Sequence, residues 1–280
     1  MQDPIIEAHL KWMTWRNQRP GTIEQRRRTL ARFERHAKVH PAYATTGHIS
    51  AWRDRLTREG QPLAPQSQAA ELAHLRSFYK WLVIEELRDD DPTMRVPAPK
   101  LPRNLPNPIP EHLMAEAIRT APDRIQPWYL LGAYAGLRAF EVAPLRADDL
   151  WWHHSPPLIH VRDGKGGQEG HVPISPILEP VLRDLPRRGF LFPMLDGHLG
   201  PVKPHIVSHL ANDHLHSIGI LHYTFHSFRH RFGTQIYRLT KDLRQTQELM
   251  RHRSPVSTAG YTAVDVTEAA GIVASLPAVS

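Results

Sequence analysis

A histidine and a tyrosine near the C-terminal end of the chain could together attack a phosphate ester. Eight residues separate His252 from Tyr261, and a second pair, His226 and Arg229, lies just upstream. A tyrosine hydroxyl can act as a nucleophile when a neighbouring base accepts its proton, and histidine is the commonest such base. Each of these residues taken singly is more typical of packing than of catalysis, so the prediction depends on what the rest of the chain supplies.

Two arginines have the positions expected of phosphate-binding groups. Arg138 and Arg229 each lie at the predicted start of a helix, where the positive end of the helix dipole favours an anion. A guanidinium is always charged and can bond two phosphate oxygens in one plane. Each such donor stabilises a pentacoordinate transition state by about 3 kcal/mol. We therefore expect these arginines to hold the phosphate.

Such a reaction also requires groups that accept and donate protons. Lys165 lies in a glycine-rich turn at residues 163–167 and could protonate a leaving 5′ oxygen. An ordinary exposed turn lysine is the alternative interpretation. His226 and His252 could accept the phenolic proton or bond a phosphate oxygen. A tyrosyl phosphate ester keeps the bond energy, so a sugar hydroxyl could reopen it without ATP or metal.

The composition favours a polyanion as partner. Lys and Arg number 35 against 28 acidic residues, and the first 100 residues hold 17 basic and 12 acidic side chains. A basic protein with no role at nucleic acid is the alternative that charge alone leaves open. The chain has no cysteine, which excludes disulfides, Cys-ligated zinc and thiol nucleophiles. Because we find no signal peptide and no apolar run of about 18 residues, we expect a cytoplasmic protein.

Hydrophobic periodicity divides the chain into two predicted domains. Four helices are predicted at residues 4–17, 22–37, 48–58 and 66–87. Residues 97–110 hold six prolines in fourteen positions, which predicts an extended linker. The predicted boundaries are therefore a helical domain at 1–96, the linker at 97–110, and a second domain at 111–280.

The second domain is predicted to be mixed. Helices are expected at 111–118, at 125–135, from 138 onward, and at 176–185, 203–218, 227–238 and 242–250, with a short tail helix at 266–273. Residues 158–161 and 171–174 predict a β-hairpin. The order of helices, a small sheet and more helices predicts a mainly α member of the α+β class.

The helical domain carries basic side chains that could contact phosphates. The candidates, on the second and fourth helices, are Arg26, Arg28, Arg32, Arg76 and Lys80. A solvated helix face is the alternative interpretation. If the prediction is right, neutralising one of these residues weakens binding to all DNA sequences alike.

The motifs resemble those of one family in identity, order and spacing. The tyrosine recombinases, or phage integrase family, share the patterns Gly136-Leu-Arg138-x-x-Glu141, a hairpin Lys165, His226-x-x-Arg229-His230 and His252-x8-Tyr261-Thr262. Residues 75–82, followed by Asp91-Pro92, are similar to the end of that family's core-binding domain. The resemblance covers nearly the whole chain.

The resemblance implies a site-specific DNA recombinase, without cofactor or metal, that grips DNA as a C-shaped clamp of core-binding and catalytic domains. The implied catalytic residues are Tyr261, Arg138, Arg229, Lys165, His226, His252 and Glu141. Tyr261 would form a 3′-phosphotyrosine and release a 5′ hydroxyl, Lys165 would be the general acid, and Glu141 would orient its neighbours. The partner would be double-stranded DNA at attachment or crossover sites in the bacterial cytoplasm.

The resemblance also implies an assembly. Monomers or weak oligomers would form a homotetramer at synapsis and exchange strands in pairs through a Holliday junction, and a directionality factor is a further candidate partner. The tail helix would dock on a neighbouring subunit or fold back on its own domain. Two departures from the family's pattern are Arg251, where the family often has glycine, and Pro255 with Gly260, which predict a less helical approach to Tyr261.

Several functions remain open at this point. Because the chain begins directly with the core-binding pattern, we expect no arm-binding domain and favour a small phage integrase over a relative of the Xer chromosome-dimer resolvases. A non-catalytic DNA-binding regulator would not need the whole set of catalytic residues. The 19 histidines could suggest a metallohydrolase, but Ser227 stands where a metal-binding helix would have glutamate between His226 and His230.

Overall fold

The computed structural model describes residues 3–101, 105–162, 169–194, 200–252, 258 and 260–262. The chain forms two compact units, divided between Arg103 and Asn104. That division falls inside the proline-rich segment predicted as a linker. Val96 is buried in the core of the first unit, and Ile109 is buried in the core of the second.

The first unit consists of the four predicted helices. They are α1 (Pro4–Trp15), α2 (Pro20–Ala37), α3 (Thr46–Arg53) and α4 (Pro65–Ile84), with a short 3₁₀ turn at Pro41–Tyr43. Asp3 caps α1 by accepting bonds of 3.0 and 2.9 Å from the amides of Ile5 and Ile6. Proline occupies the first turn of α1, α2 and α4, where its missing N–H costs nothing.

The core of the first unit follows the predicted apolar stripes. Leu30, Phe33, Ile49, Leu75 and Phe78 have no exposed surface, and burying a side chain of this kind stabilises the fold by about 1.5–3 kcal/mol. The helix end that differs most from the prediction is that of α3, since the ends of α1 and α4 differ by two and three residues. Helix α3 ends at Arg53, well before Gly60. The chain reverses direction after it in a turn at residues 57–61, where the Thr57 amide donates to the Gln61 carbonyl at 2.7 Å.

The second unit is mainly helical, as predicted. Its helices are α5 (Glu111–Thr120), α6 (Gln126–Ala135), α7 (Ala139–Val142), α8 (Leu178–Asp184), α9 (Pro204–Ser217), α10 (Phe225–Thr240) and α11 (Leu243–Leu249), with 3₁₀ turns at Ala147–Asp149 and Gly260–Thr262. The predicted tail helix at 266–273 lies outside the described residues.

A small antiparallel sheet lies among these helices. Strands β1 (Leu150–Trp151), β2 (Leu158–Val161) and β3 (Gly170–Pro173) are ordered β1-β2-β3. The β2–β3 pair is the predicted hairpin, and Ile159 and Val172 pair across it as buried residues. Strand β1 was not predicted because two residues carry no readable alternation.

Helix α6 is the centre of the second unit, and α10 packs along it. The rings of Tyr129 and Phe228 stack at 4.4 Å between centroids. Gly132 permits this approach, since a Cβ there would lie 3.1 Å from the Cβ of Phe228. The packing fixes the first turns of α10, which carry His226 and Arg229. Within the described ranges, no helix combines the length and apolar character needed to cross a bilayer.

Candidate active site

The turn between α6 and α7 places Arg138 and Glu141. Gly136 ends α6 with φ +61°, and a Cβ there would overlap the ring of Phe232, so glycine is required. Glu141 Oε2 accepts from the Arg138 amide at 2.9 Å, and its Oε1 accepts from Arg138 Nη1 at 2.7 Å. The first turn of α7 is therefore held by the carboxylate of its own third residue.

Glu141 is the centre of a buried cluster of three arginines. Its side chain has no exposed surface and lies 3.6 Å from Arg229 Nη1 and 3.0 Å from Arg251 Nη2, besides its bond to Arg138. Burial alone would raise the pKa of Glu141, but the charges of Arg251, Arg229 and Arg138 hold that pKa below its usual value. Three guanidinium groups around one carboxylate leave an excess of positive charge, which favours an anion such as a phosphodiester.

Arg229 is the most deeply buried of the three arginines, with 1% of its side chain exposed. It donates to the backbone carbonyls of Gly136 and Met250, so it joins the end of α6 to the end of α11. Burial, reinforced by Arg138 and Arg251, lowers the pKa of its guanidinium from the ordinary value. These contacts set the orientation of Arg229 before any ligand binds.

Arg251 contributes a third guanidinium that the sequence alone did not reveal. It adopts φ +52°, the left-handed conformation that glycine adopts most readily at the end of a helix. Its Nη2 donates to the carbonyl of Gly136 at 3.1 Å and to Glu141 at 3.0 Å, and its Nη1 donates to the carbonyl of Leu249 at 2.9 Å. The helix still ends tightly here, and the ion pair offsets a backbone cost of about 1–2 kcal/mol.

Tyr261 lies in the 3₁₀ turn Gly260–Thr262 and is 7% exposed. Its ring packs with Phe232 and Met250 in a small cluster of its own. Gly233 on α10 makes room for it, because a Cβ at that position would lie 2.8 Å from Cε1 and Cζ of the tyrosine ring. The tyrosine is therefore held close against α10.

Three histidines form a cluster with Tyr261. The hydroxyl lies 3.0 Å from Nδ1 of His230, whereas the sequence had suggested His226 or His252 as its partner. The His226 ring meets that of His230 edge-on at 4.6 Å, and the His252 ring stacks on Tyr261 at 6.1 Å. His252 Nδ1 itself bonds Thr258 Oγ1 at 2.9 Å. The position of His230 directly after Arg229 is the signal in the sequence that points to it.

The environment sets the protonation of these four groups. Burial lowers the pKa of His226 and of His230 to about 4 and that of His252 to about 3, and the charge of Arg229 acts in the same direction on all three. Burial raises the pKa of Tyr261 to about 12, while Arg229 and Arg138 oppose that rise. At neutral pH the three histidines are therefore uncharged and Tyr261 is protonated.

These pKa values predict that acid destabilises the second unit. In the folded protein a histidine with a lowered pKa stays neutral down to about pH 4, whereas in the unfolded chain the same histidine is protonated below about pH 6.5. Stability is therefore complete above that pH and falls towards pH 4, by about 1.4 kcal/mol per pH unit for each such histidine. We expect His226→Asn to reduce this acid sensitivity in urea unfolding at pH 7 and pH 5. The exposed His216→Asn is the control, and an equal change in both variants would contradict the assignment.

The close packing of Tyr261 against Gly233 gives a second prediction. We expect Gly233→Ala to displace the tyrosine and slow DNA cleavage on the order of 10–100-fold, since small misplacements of a reacting group have effects of that size. Gly21→Ala is the matched control because a Cβ at Gly21 meets nothing within 4 Å. Single-turnover cleavage and thermal unfolding would be measured together. A cleavage rate unchanged by Gly233→Ala would show that Tyr261 does not react from this position.

One predicted catalytic residue remains to be placed. Lys165 lies outside the described residues. Within the described ranges, no group of three or more His, Cys, Asp or Glu side chains is arranged to hold a metal ion. Metal dependence is left to experiment.

The predicted phosphate contacts of the first unit differ in exposure. Arg28 and Arg32 have side chains 74% and 48% exposed, although each pairs with a glutamate, Glu24 and Glu71 respectively. Arg76 and Lys80 are also exposed. Arg26 is buried and donates to the carbonyl of His74. Its guanidinium serves internal packing in this structure and is not presented to a phosphate.

Comparison with known proteins extends over both units. The model of the phage integrase family matches residues 110–268, and the model of the N-terminal SAM-like domain of phage integrases matches residues 5–89. Tyrosine recombinase XerC of Erythrobacter litoralis is 32% identical over 266 residues, which cover 88% of this chain and 84% of that relative. Tyrosine recombinase XerC 2 of Ralstonia nicotianae is 28% identical over 287 residues, covering 93% and 82%.

Solved structures share the fold at lower identity. A lambda integrase dimer bound to a COC′ core site aligns with a TM-score of 0.72 at 15% identity, covering 92% of this chain and 93% of that one. The integrase of transposon Tn1549 in complex with transposon right-end DNA aligns with a TM-score of 0.71 at 14% identity, covering 96% and 98%. At these identities the likeness shows the fold alone.

Proposed function

Since the chain belongs to the phage integrase family and is a tyrosine-type site-specific DNA recombinase, we propose that Tyr261 is its nucleophile and that recombination proceeds through a 3′-phosphotyrosine. One observation carries this proposal. Tyr261 packs against Met250, whose carbonyl accepts a bond from Arg229, and Arg229 and Arg138 both contact the buried carboxylate of Glu141. Neutral histidines that can accept the phenolic proton, and an excess of fixed positive charge that can hold the phosphate, suit attack on a phosphodiester.

The cleavage step conserves the number of phosphoester bonds. Tyr261 Oη forms a bond to the scissile phosphorus while the bond from phosphorus to the 5′ oxygen breaks. The phenolic proton goes to a base, and the departing 5′ oxygen takes a proton from an acid, for which Lys165 is the candidate. In rejoining, a 5′ hydroxyl attacks the tyrosyl ester and releases Tyr261, so neither ATP nor a metal is needed to reseal the strand.

Arg138 and Arg229 would both bind the phosphate, and they differ in exposure. Arg138 keeps 12% of its side chain exposed, which leaves it accessible to DNA, and Arg229, which is 1% exposed, would contact the phosphate from the buried side of the site. Glu141 holds Arg138, Arg229 and Arg251 in fixed positions, so little reorganisation is needed when negative charge develops on the non-bridging oxygens. His226 and His252 complete the site next to Tyr261.

The first unit would also bind the duplex. Its match to the N-terminal SAM-like domain of phage integrases supports a role in binding DNA. Arg28, Arg32, Arg76 and Lys80 are the candidate phosphate contacts, and their exposure supports that role. We expect each of them to contribute to binding without reading the base sequence.

For the biological reaction we propose integration or excision of phage DNA in the bacterial cytoplasm. Four protomers would exchange strands in pairs through a Holliday junction, with a directionality factor selecting the direction. The family model that matches the larger part of the chain supports this reading. A second candidate is the resolution of chromosome or plasmid dimers, and the two XerC relatives favour it.

Covalent trapping tests the chemistry. A randomised duplex library selected for binding supplies the target, which is then built as a nicked suicide duplex whose cleaved strand is labelled on either side of the scissile phosphate. We expect a protein–DNA adduct that retains the 3′-phosphate side, in buffer containing EDTA. Release of labelled strands without any adduct, or an adduct on the 5′ side, would contradict the proposal.

A plasmid assay separates the two biological candidates. Two identical copies of the selected site are placed on one plasmid, and a second plasmid carries one copy with a library of partner sites. A dimer resolvase would delete the segment between identical sites, whereas an integrase would join the site only to a different partner sequence. Efficient deletion between identical sites would overturn the phage proposal in favour of dimer resolution.

A further inference from the structure

The Tyr261 hydroxyl must lose its proton, and the structure provides a specific acceptor for it. Among the described residues, its hydrogen-bond partner is Nδ1 of His230 at 3.0 Å. The alternatives are less well placed, because His252 directs its Nδ1 to Thr258 Oγ1 and His226 meets the ring of His230 edge-on.

The position of His230 is fixed by the helix that carries it. His230 directly follows Arg229, whose guanidinium is anchored to the carbonyls of Gly136 and Met250. Met250 also packs against the Tyr261 ring. The distance between His230 and the hydroxyl is therefore determined by the same contacts that hold the phosphate-binding arginine.

We propose that His230 is the general base that accepts the phenolic proton of Tyr261 during DNA cleavage. This inference rests on the proposed role of Tyr261 as nucleophile. His230 touches the reacting oxygen, so it acts directly and is not merely a positioning residue. It also differs from the two histidines that the sequence pattern brought forward.

The proton is returned in the reverse step. In cleavage, the proton moves from Tyr261 Oη to His230 Nδ1 as the bond from oxygen to phosphorus forms. In rejoining, the imidazolium gives the same proton back to the phenolate as the 5′ hydroxyl attacks. The charged groups that face the imidazolium are Arg229 on its own helix and the incoming phosphodiester, and His226, His252 and Tyr261 are its titratable neighbours.

The environment of His230 determines its protonation before cleavage. Burial, with Arg229 acting in the same direction, lowers the pKa of His230, so the ring is neutral at physiological pH, and its Nδ1 accepts a proton when the ring hydrogen is on Nε2. Burial and the positive charge of Arg229 make the imidazolium more acidic than usual, which favours return of the proton in rejoining and weakens His230 as a base in cleavage. Bound phosphate partly offsets that charge during the lifetime of the intermediate.

Three variants and two DNA substrates distinguish a role of His230 as general base from a role at the leaving group or in structure. His230→Ala removes the imidazole, His230→Asn keeps a polar acceptor near the position of Nδ1 without its basicity, and the exposed His216→Asn is the control. Single-turnover adduct formation is measured on a suicide duplex built on the selected binding site. A second duplex carries sulfur in place of the bridging 5′ oxygen, and this sulfur leaves without a proton.

We expect His230→Ala and His230→Asn to form the adduct about 10²–10³-fold more slowly, on both duplexes alike. Added imidazole should restore part of the rate to His230→Ala and none to His230→Asn, because only the former leaves a cavity. Rescue of either variant by the sulfur duplex would place His230 on the leaving group and overturn the proposal. Near wild-type cleavage by a folded His230→Asn variant would overturn it as well.

The controls keep the two proposals distinct. An adduct in the wild type that is lost in Tyr261→Phe upholds the nucleophile whatever the His230 variants do. No adduct in the wild type would remove both proposals together. Should His230→Ala fail to fold, as judged by thermal unfolding and duplex binding, the result for His230→Asn decides the role of His230.

Discussion

Tyr261→Phe is expected to abolish adduct formation, lowering the rate of strand cleavage by roughly 10⁴-fold or more. The substitution removes one oxygen and leaves the ring, which packs with Phe232 and Met250. Without that oxygen Tyr261 cannot form a bond to phosphorus. No other hydroxyl group would be expected to occupy the same position and act in its place.

The same variant should remain folded and bind DNA. It loses one hydrogen bond to His230, so we expect its unfolding free energy to fall by about 1–2 kcal/mol at most. Tyr237→Phe is the matched control, because Tyr237 packs at the edge of the same cluster. Gel separation of adduct under denaturing conditions and a binding titration would be made on all three proteins. Cleavage by Tyr261→Phe at even a tenth of the wild-type rate would contradict the assignment.

Arg229→Lys is expected to slow adduct formation about 10²–10³-fold although it preserves the charge. Arg229 bonds two carbonyls, those of Gly136 and Met250, and also faces Glu141. A lysine ammonium is a point charge without the planar fork, so it cannot keep all of these contacts and still face a phosphate. The ends of α6 and α11 would then lose a shared anchor.

Stability should fall in the same variant by about 2–3 kcal/mol, because a buried carbonyl and part of the charge of Glu141 would lose their partner. Arg183→Lys provides the control, since Arg183 forms an exposed pair with Glu179. Cleavage rates are compared under conditions in which urea titration shows each protein to be fully folded. If Arg229→Lys then cleaves at the wild-type rate, Arg229 has a structural role alone.

The sequence was sufficient for most of the helices. Apolar residues repeated at helical spacing over several turns, such as Leu30 and Phe33, predict a helix with that face buried, and both residues are buried in the structure. Strand β1 was missed because two residues carry no periodicity, and the end of α3 was misplaced because a turn at Thr57 arrests the helix earlier than glycine would.

The site was predictable where its chemistry is local. Arg138 and Glu141 are three residues apart on one helical turn, so their bond follows from spacing alone. The partner of the Tyr261 hydroxyl was not predictable, because it depends on how the turn at Gly260–Thr262 sits against α10. Arg251 is a similar case, since its ion pair with Glu141 joins residues 110 positions apart.

The solvent exposure of individual arginines was also not predictable from the helical pattern of the sequence. Arg26 and Arg28 are two residues apart and both were predicted to contact phosphates. In the structure Arg26 is buried against the carbonyl of His74, and Arg28 is largely exposed. An arginine stem packs as well as an apolar side chain, so sequence alone does not separate the two roles.

The most direct test of the nucleophile is to locate the DNA on the protein. Wild-type adduct formed on the suicide duplex is digested with trypsin and with nuclease, and the nucleotide-bearing peptide is sequenced by mass spectrometry. Cleavage after Arg253 releases residues 254–280, in which Tyr261 is the one tyrosine. We expect a nucleotide remnant joined through its 3′ phosphate to Tyr261. A remnant on any other residue, or joined through a 5′ phosphate, would contradict the central claim.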